Sequence, residues 1–271
     1  MNRERIRVLF GSPVRQHPAV LEHFLTSARK LDHDDLAVDY WFIDNNTEER
    51  ASQLLAHFAR EDSNATIVRH ADNGEYICDE KTHYWKEEVI WKVAAFKNNI
   101  IGRALAEGYD YVFLVDSDLV LHPKTLVHLI QLGKEIVSEI FWTRWEPGFP
   151  ELPQVWVNDQ YNLYDRARGE ALTQAEVLQR VKTFLGQLRV PGVYKVGGLG
   201  ACTLISQKAL RAGVGYKEIY NVSFVGEDRH FCIRAAALGF DLFVDTHYPA
   251  FHIYRLSDLD DLTAYKSQFR P

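Results

Sequence analysis

Cysteine is scarce in this chain, with only Cys78, Cys202 and Cys232 among 271 residues. Their spacing fits no zinc-binding pattern, and an odd number cannot close a disulfide framework. Reduced thiols in a cytoplasmic protein are therefore expected. Basic charge is also short. Lys and Arg total 31 against 37 Asp and Glu, for a formal net charge of -6 and a pI near 6.0. Such a balance lacks the electrostatic footprint of a nucleic-acid-binding protein. No run of about 18 apolar residues occurs, so no membrane span is expected. Peripheral membrane contact is compatible with the sequence. The opening stretch, MNRERIRVLF, is charged and runs straight into a strand-like segment without the apolar core of a signal peptide. Cytoplasmic localisation, with room for membrane association, is the expectation.

Hydrophobic residues make up 46% and charged residues 25%, which is enough apolar content for a sizeable core. The length suits one large α/β domain or two small ones. No repeat, low-complexity tract or clear linker divides the chain, so residues 1–271 are read as one domain. Within it, strand and helix patterns alternate over the first ~130 residues, which predicts a parallel sheet covered on both faces. Strands are expected at Arg5 to Phe10, Ala37 to Ile43, Ala65 to Arg69 and Tyr109 to Val115, the last being the most apolar. Helices are expected from about Ala19 to Lys30, Thr47 to Arg60 and Glu87 to Glu107. In the last of these, Val89, Val93, Phe96, Ile100 and Ala104 recur at helical spacing. Asn46 and Glu49 look like an N-cap and its partner, and Pro123 suits the first turn of a further helix.

The second half is less regular. Glu135 to Trp142 reads as a strand. A long loop rich in Pro and aromatics follows, and Thr173 with Glu176 forms a capping box opening a helix to about Leu188. Tyr194 to Ser206 reads as one glycine-containing strand, Glu227 to Leu238 as a helix closed by Gly239, and Phe240 to Asp245 as the last strand.

The sharpest chemical signal is Asp116-Ser117-Asp118, which directly follows the apolar run VFLV. Two carboxylates at a strand end can face one site through a turn. Oxygen ligands of this kind suit Mg²⁺ or Mn²⁺, which often share them with substrate phosphates. The alternative is a surface turn with two solvated aspartates. Asp44 also ends a strand and can accept hydrogen bonds from a base or ribose, or serve only the turn. Pro13 and Arg15, in the loop after the first strand, are candidates to hold a nucleotide, and Arg15 reads equally well as solvated. Glu227-Asp228 opens a helix, where negative charge is favoured in any case. Asp228 can also serve as a general base. His252, and less strongly His247, are candidate metal or diphosphate contacts. Gly198, in the run KVGGLGACTLIS, reads either as close backbone approach to a sugar or as a bulged strand. Trp142, Trp145 and Trp156 can stack on sugar rings or fill the core.

Taken in order, the segments RVLFGSPVR, YWFIDNNT, YVFLVDSDLVLHP, GGLGACTLISQKAL, GEDRHFCIRAAALGFDLFVD and YPAFHIY resemble the GT-A glycosyltransferases, especially the family-2-like inverting enzymes. The resemblance implies a Rossmann-like, mostly parallel α/β sheet flanked by helices, with a small antiparallel acceptor-side part. The nucleotide-binding part would cover about 1–130 and the acceptor-side part about 131–271. It lays the binding of metal and donor diphosphate on Asp116 and Asp118, nucleoside contact on Asp44, the catalytic base on Asp228 and completion of the metal site on His252. The implied reaction moves a hexose from a nucleotide-sugar to a hydroxyl of a glycan, a lipid-linked or a small-molecule acceptor. It would use Mn²⁺ or Mg²⁺ and proceed with inversion. This chain has Asp44-Asn45 where the family often has two acidic residues, and the bulkier KVAAFKNNIIGRAL where it has a glycine-rich segment. Lys92 and Lys97, in that stretch, can face the donor.

Three other readings fit the sequence less well. A sugar nucleotidylyltransferase should carry a glycine-rich basic loop after its first strand, and GSPVRQHP is a poor version. A phosphatase with an Asp-x-Asp nucleophile usually carries it on the first strand. A non-catalytic nucleotide-sugar or carbohydrate-binding module would bind donor without turning it over.

Overall fold

The computed structural model describes residues 5–33, 35–70, 77–78, 83–84, 86–158, 160–224 and 226–269. The first half winds as β1 (Ile6–Val14), α1 (Pro18–Arg29), β2 (Leu36–Asp44), α2 (Glu49–Glu61) and β3 (Ala65–Arg69). A short antiparallel pair follows, β4 (Ile77–Cys78) and β5 (His83–Tyr84), and then α3 (Glu87–Glu107), β6 (Tyr111–Leu114), β7 (Leu119–Val120) and α4 (Thr125–Gln131). The second half comprises β8 (Ile136–Thr143), β9 (Leu152–Pro153), α5 (Gln174–Leu188), β10 (Val193–Val196), β11 (Thr203–Ser206), α6 (Gln207–Arg211), α7 (Glu227–Ala237) and β12 (Leu242–His252). A 3-10 turn at Leu256–Asp261 and α8 (Leu262–Ser267) complete it.

These strands form a 10-stranded sheet with main order β10-β12-β8-β11-β6-β1-β2-β3. The run β6-β1-β2-β3 is parallel throughout, as is the β12–β8 pair. β10 and β11 run antiparallel to their neighbours. The expected mostly parallel α/β sheet with an antiparallel part is therefore observed. Parallel strands buried on both faces need a core on each, and each face has one. One face carries Phe10, Phe24, Tyr40, Phe42, Phe58 and Phe113. Phe10 and Phe113 meet edge to face with centroids 5.3 Å apart, a favoured aromatic geometry. The other face is filled by α3, α6 and α7 with Ile100, Ile136, Ile140, Ile205 and Phe231.

Close packing of α3 on β1 depends on Gly11, where a Cβ would fall 2.4 Å from Ile100 Cγ2. The bare backbone lets α3 sink onto the sheet and carries Lys97, 2% exposed, beneath the C-terminal strand ends. The expected helix over Glu87 to Glu107 is found with those bounds, and the Thr173–Glu176 capping box is present.

Four local expectations are corrected. α2 starts at Glu49 with Glu48 as its cap, because the Asn46 side chain is engaged instead with Gln16 and Asp44. Pro123 lies ahead of α4, which begins at Thr125. Tyr194 to Ser206 is not one strand but two, β10 and β11, in different places in the sheet, because the glycines between them pass across Trp156. The last strand runs on through His252, with a bulge between Asp245 and Ala250. Among the described residues no helix is long and apolar enough to cross a membrane. Cys202 and Cys232 are free, buried thiols.

Candidate active site

β6 ends at Leu114, and Val115 still donates to Gly11 O at 3.1 Å before the chain turns. Leu119 N closes the Asp116–Leu119 turn on Asp116 O at 3.2 Å. β7 then pairs with the end of β12, placing Leu119 opposite His252, and Ile253 N donates to Asp118 O at 2.9 Å. This pairing is the local reason that Asp118 and His252 meet, with Oδ2 and Nε2 3.5 Å apart. The other imidazole nitrogen, Nδ1, lies 2.8 Å from Thr143 Oγ1. That contact fixes the ring and leaves Nε2 turned to the carboxylate, the usual way a ligating histidine is held from behind.

Asp116, Ser117, Asp118 and His252 line a cavity of about 1080 Å³ at the C-terminal ends of the parallel strands. Pro13, Arg15, Gln16 and Asn45 line it as well, at the ends of β1 and β2, and so do Asp228, Trp145 and Tyr161. A crevice outside the carboxyl ends of the strands is where open α/β sheets bind ligands.

On its inner wall Lys97 sits among three carboxylates. Its ammonium donates to Glu227 Oε1 at 2.9 Å and to Asp228 Oδ1 at 3.3 Å, and lies 3.9 Å from Asp116 Oδ1. Glu227 and Asp228 are presented by the first turn of α7, whose positive end suits them. Burial works against the Lys97 charge, yet Asp228, Glu227 and Asp116 outweigh it and hold its pKa well above the ordinary value. Burial lifts the Asp228 carboxyl to about 7, with Lys97 pulling it down and Glu227 and Asp116 pushing it up. The same balance raises Asp116 to about 6, with Asp118 as the like-charge neighbour.

Two candidates sit elsewhere than the sequence suggested. The Asp44 carboxylate is 4% exposed and turned inward. Oδ2 accepts from Arg69 at 2.5 Å, and Oδ1 accepts from Asn46 and Ser52. Arg69 stands opposite Asp44 on the neighbouring strand and draws it away from the cavity, while Asn45 faces it. Gly198 is packed beneath the Trp156 indole, where a Cβ would lie 1.9 Å from Cε2, and its carbonyl accepts from Trp156 N at 3.0 Å. The close approach expected at Gly198 is therefore to Trp156, itself 2% exposed, rather than to the cavity. Gly200 is the glycine that borders the cavity, with its Cβ position 3.3 Å from Asp228 Oδ2. Trp142 is covered by the Arg189 guanidinium, 3.4 Å from the ring centroid, whereas Trp145 is 44% exposed.

Asp116, Asp118 and His252 do not close into a compact trio. Among the described residues the group of three with ligand atoms within 4.8 Å of one another is His128, Asp245 and His247. His247 thus parts company with His252. Sequence reasoning also missed Tyr161, whose ring packs 4.2 Å from Trp156. Its backbone φ of 57° is the one signal of constraint, and it is not visible in the residue string.

No protein-family model matches the sequence, and no curated protein matches it. Solved structures do. The mannosyltransferase PcManGT from Pyrobaculum calidifontis, in complex with GDP-Man and Mn²⁺, superposes with a TM-score of 0.56 at 12% identity over 97% of this chain and 61% of that one. TarS 1-349 of S. aureus superposes with a TM-score of 0.54 at 12% identity over 91% of this chain and 60% of that one. The chain therefore spans about three fifths of the length of each. At these TM-scores it shares the GT-A-like α/β fold of these glycosyltransferases.

Proposed function

We propose that this protein transfers a hexose from a nucleotide-sugar to an acceptor hydroxyl, with inversion at the anomeric carbon. The observation that carries the reading is a single cavity holding two kinds of chemistry. At one wall the Asp118 carboxylate and the His252 imidazole stand 3.5 Å apart. At another, Asp228 is held beside Lys97. The fold shared with a mannosyltransferase that binds GDP-Man and Mn²⁺ supports the donor class.

The donor set at Asp118 and His252 fits Mn²⁺, since one hard oxygen and one imidazole nitrogen are acceptable ligands and substrate phosphates can complete the shell. Asp116 and Ser117 lie beside this pair in the same turn. A cation bound there would supply positive charge to the departing nucleoside diphosphate. Pro13, Arg15, Gln16 and Asn45 line the part of the cavity where the nucleoside is expected, with Asp44 bracing that loop from behind. Asp228 accepts the proton of the attacking hydroxyl, and ionisation is its working state. Lys97 favours that state. Trp145, exposed at the cavity, offers a stacking face for an acceptor sugar.

The test is a melting-temperature screen of UDP-, GDP- and dTDP-sugars with and without Mn²⁺, followed by assay of nucleoside diphosphate release and NMR of the product anomer. One donor should raise the melting temperature more with Mn²⁺ than without. If no nucleotide-sugar stabilises the protein and none is turned over, the reading fails. Pyrophosphate release from a nucleoside triphosphate would favour a nucleotidylyltransferase instead.

A further inference from the structure

A second cluster of ligating side chains lies on the sheet face covered by α4. Asp245 of β12 is fully buried, and its Oδ1 is 3.2 Å from His128 Nε2 of α4 and 2.7 Å from His247 Nδ1. Asp245 and His247 are two residues apart on β12, so the alternation of a strand sets both side chains on one face. Nothing in this trio lines the cavity described above.

Charge makes the cluster unusual. Glu139 stands beside Asp245 in the β12–β8 register, is also fully buried, and has no hydrogen-bond partner at Oε2. Among the described residues neither carboxylate has a Lys or Arg ion pair. The two imidazoles are the basic groups against Asp245. Two neighbouring carboxyl groups removed from water call for a compensating positive charge or a shared proton. Glu139 can hold a proton shared with Asp245, and the charge that remains on Asp245 is met by protonated imidazoles or by a metal ion.

We infer that His128 Nε2, His247 Nδ1 and an Asp245 oxygen form a structural site for a borderline divalent cation, with Zn²⁺ the best fit. Two imidazoles and a carboxylate suit Zn²⁺ better than Mn²⁺ or Mg²⁺. Zinc–ligand bonds of about 2.0–2.2 Å place tetrahedral ligand atoms roughly 3.3 Å apart. The His128–Asp245 separation of 3.2 Å already matches, and the His247 contact of 2.7 Å needs to open by about half an ångström. The His247 side chain is 37% exposed, which leaves a side of the site open to a water ligand. The ion would fasten α4 to β12, the strand that continues to His252. It draws on no residue of the proposed transfer reaction.

The experiment uses the Asp116→Asn/Asp118→Asn protein, so that the cavity does not contribute. This protein is equilibrated with Zn²⁺ or Mn²⁺, desalted and measured by inductively coupled plasma mass spectrometry, and Zn²⁺ affinity is read by chelator competition. About one equivalent of Zn²⁺ should be retained, and Mn²⁺ should bind more weakly. Adding His128→Gln and His247→Gln should weaken Zn²⁺ binding more than about a hundredfold, beyond the effect of losing a supporting residue. Co²⁺ should give a visible tetrahedral spectrum only while both histidines are present. Zinc retained equally after both substitutions would place the ion elsewhere and overturn the site. Absence of zinc binding by the protein with both histidines would also overturn it, whether or not the histidine variant folds. The trio would then be a hydrogen-bonded cluster.

Discussion

Lys97 Nζ donates to Asp228 Oδ1 at 3.3 Å, although 131 residues separate the two. The contact joins the middle of α3 to the first turn of α7 directly beneath the cavity. Lys97 stabilises the ionised form of Asp228, whereas burial, Glu227 and Asp116 favour its protonated form. A base works only when ionised, so transfer should be lost as pH falls through the Asp228 pKa, near 7 in the metal-free protein. Lys97→Met removes the stabilising charge, raises that pKa and moves the acid limb of kcat/KM to higher pH. A shift of one unit would cut kcat/KM at pH 7 by about fivefold, and a larger shift by more, with recovery at higher pH. The check is the pH profile of both proteins. An acid limb that stays in place would show that Lys97 does not tune the base.

Replacing the base itself gives a different signature. Asp228→Asn keeps size and hydrogen-bonding capacity but cannot take a proton. Transfer should fall by about 10²–10⁴-fold across the pH range, with donor affinity nearly unchanged. Donor titration by calorimetry alongside kcat separates the two effects. A variant that binds donor and turns over normally would remove Asp228 from the mechanism.

Much of the fold was legible in the sequence. The period of α3 and the apolar run into Asp116 located a parallel sheet and its ligand end, because helix and strand periodicities are local properties. What stayed hidden was long-range. Nothing near Lys97 in sequence announces three carboxylates, which come from the turn after β6 and from α7. Asp44 looked like a ligand contact because its own segment ends a strand, yet Arg69 on the next strand captures it. The run Tyr194 to Ser206 looked continuous because β-forming residues flank its glycines. Only Trp156, arriving from a distant loop, shows why the chain must leave the sheet there. His252, and less strongly His247, looked like metal contacts, but His247 meets Asp245 while His252 meets Asp118 across the β7–β12 pair.

His252 is held from behind by Thr143, and that contact should matter for metal use. Thr143→Val keeps the shape of the 1% exposed Thr143 side chain but removes the partner of Nδ1. The ring then loses both its orientation and its tautomer preference. The Mn²⁺ concentration needed for half-maximal transfer should rise about 10–100-fold, while kcat at saturating Mn²⁺ changes far less. Mn²⁺ titration of the initial rate measures this. An unaltered titration would mean that His252 does not contact the cation.

Gly198 and Gly200 are two residues apart, yet they should fail in different ways when substituted. A methyl group at 198 would be driven into the Trp156 indole, at 1.9 Å from Cε2. Trp156 is 2% exposed, and its ring also packs on Tyr161. Gly198→Ala should therefore overpack the core and cost about 3 kcal/mol, lowering the melting temperature by roughly 10 °C. At 200 the added carbon would come closest to the Asp228 carboxylate, at 3.3 Å, with Gln154 at ordinary contact distances of 3.5 and 3.6 Å. A shift of a few tenths of an ångström relieves that contact, so Gly200→Ala should cost less than about 1 kcal/mol. The same shift displaces the proposed base, and kcat should fall by about tenfold. Melting curves and kcat for the two variants decide the matter together. If Gly198→Ala melts normally but loses donor affinity, that glycine faces substrate, and its assignment to the Trp156 contact is wrong.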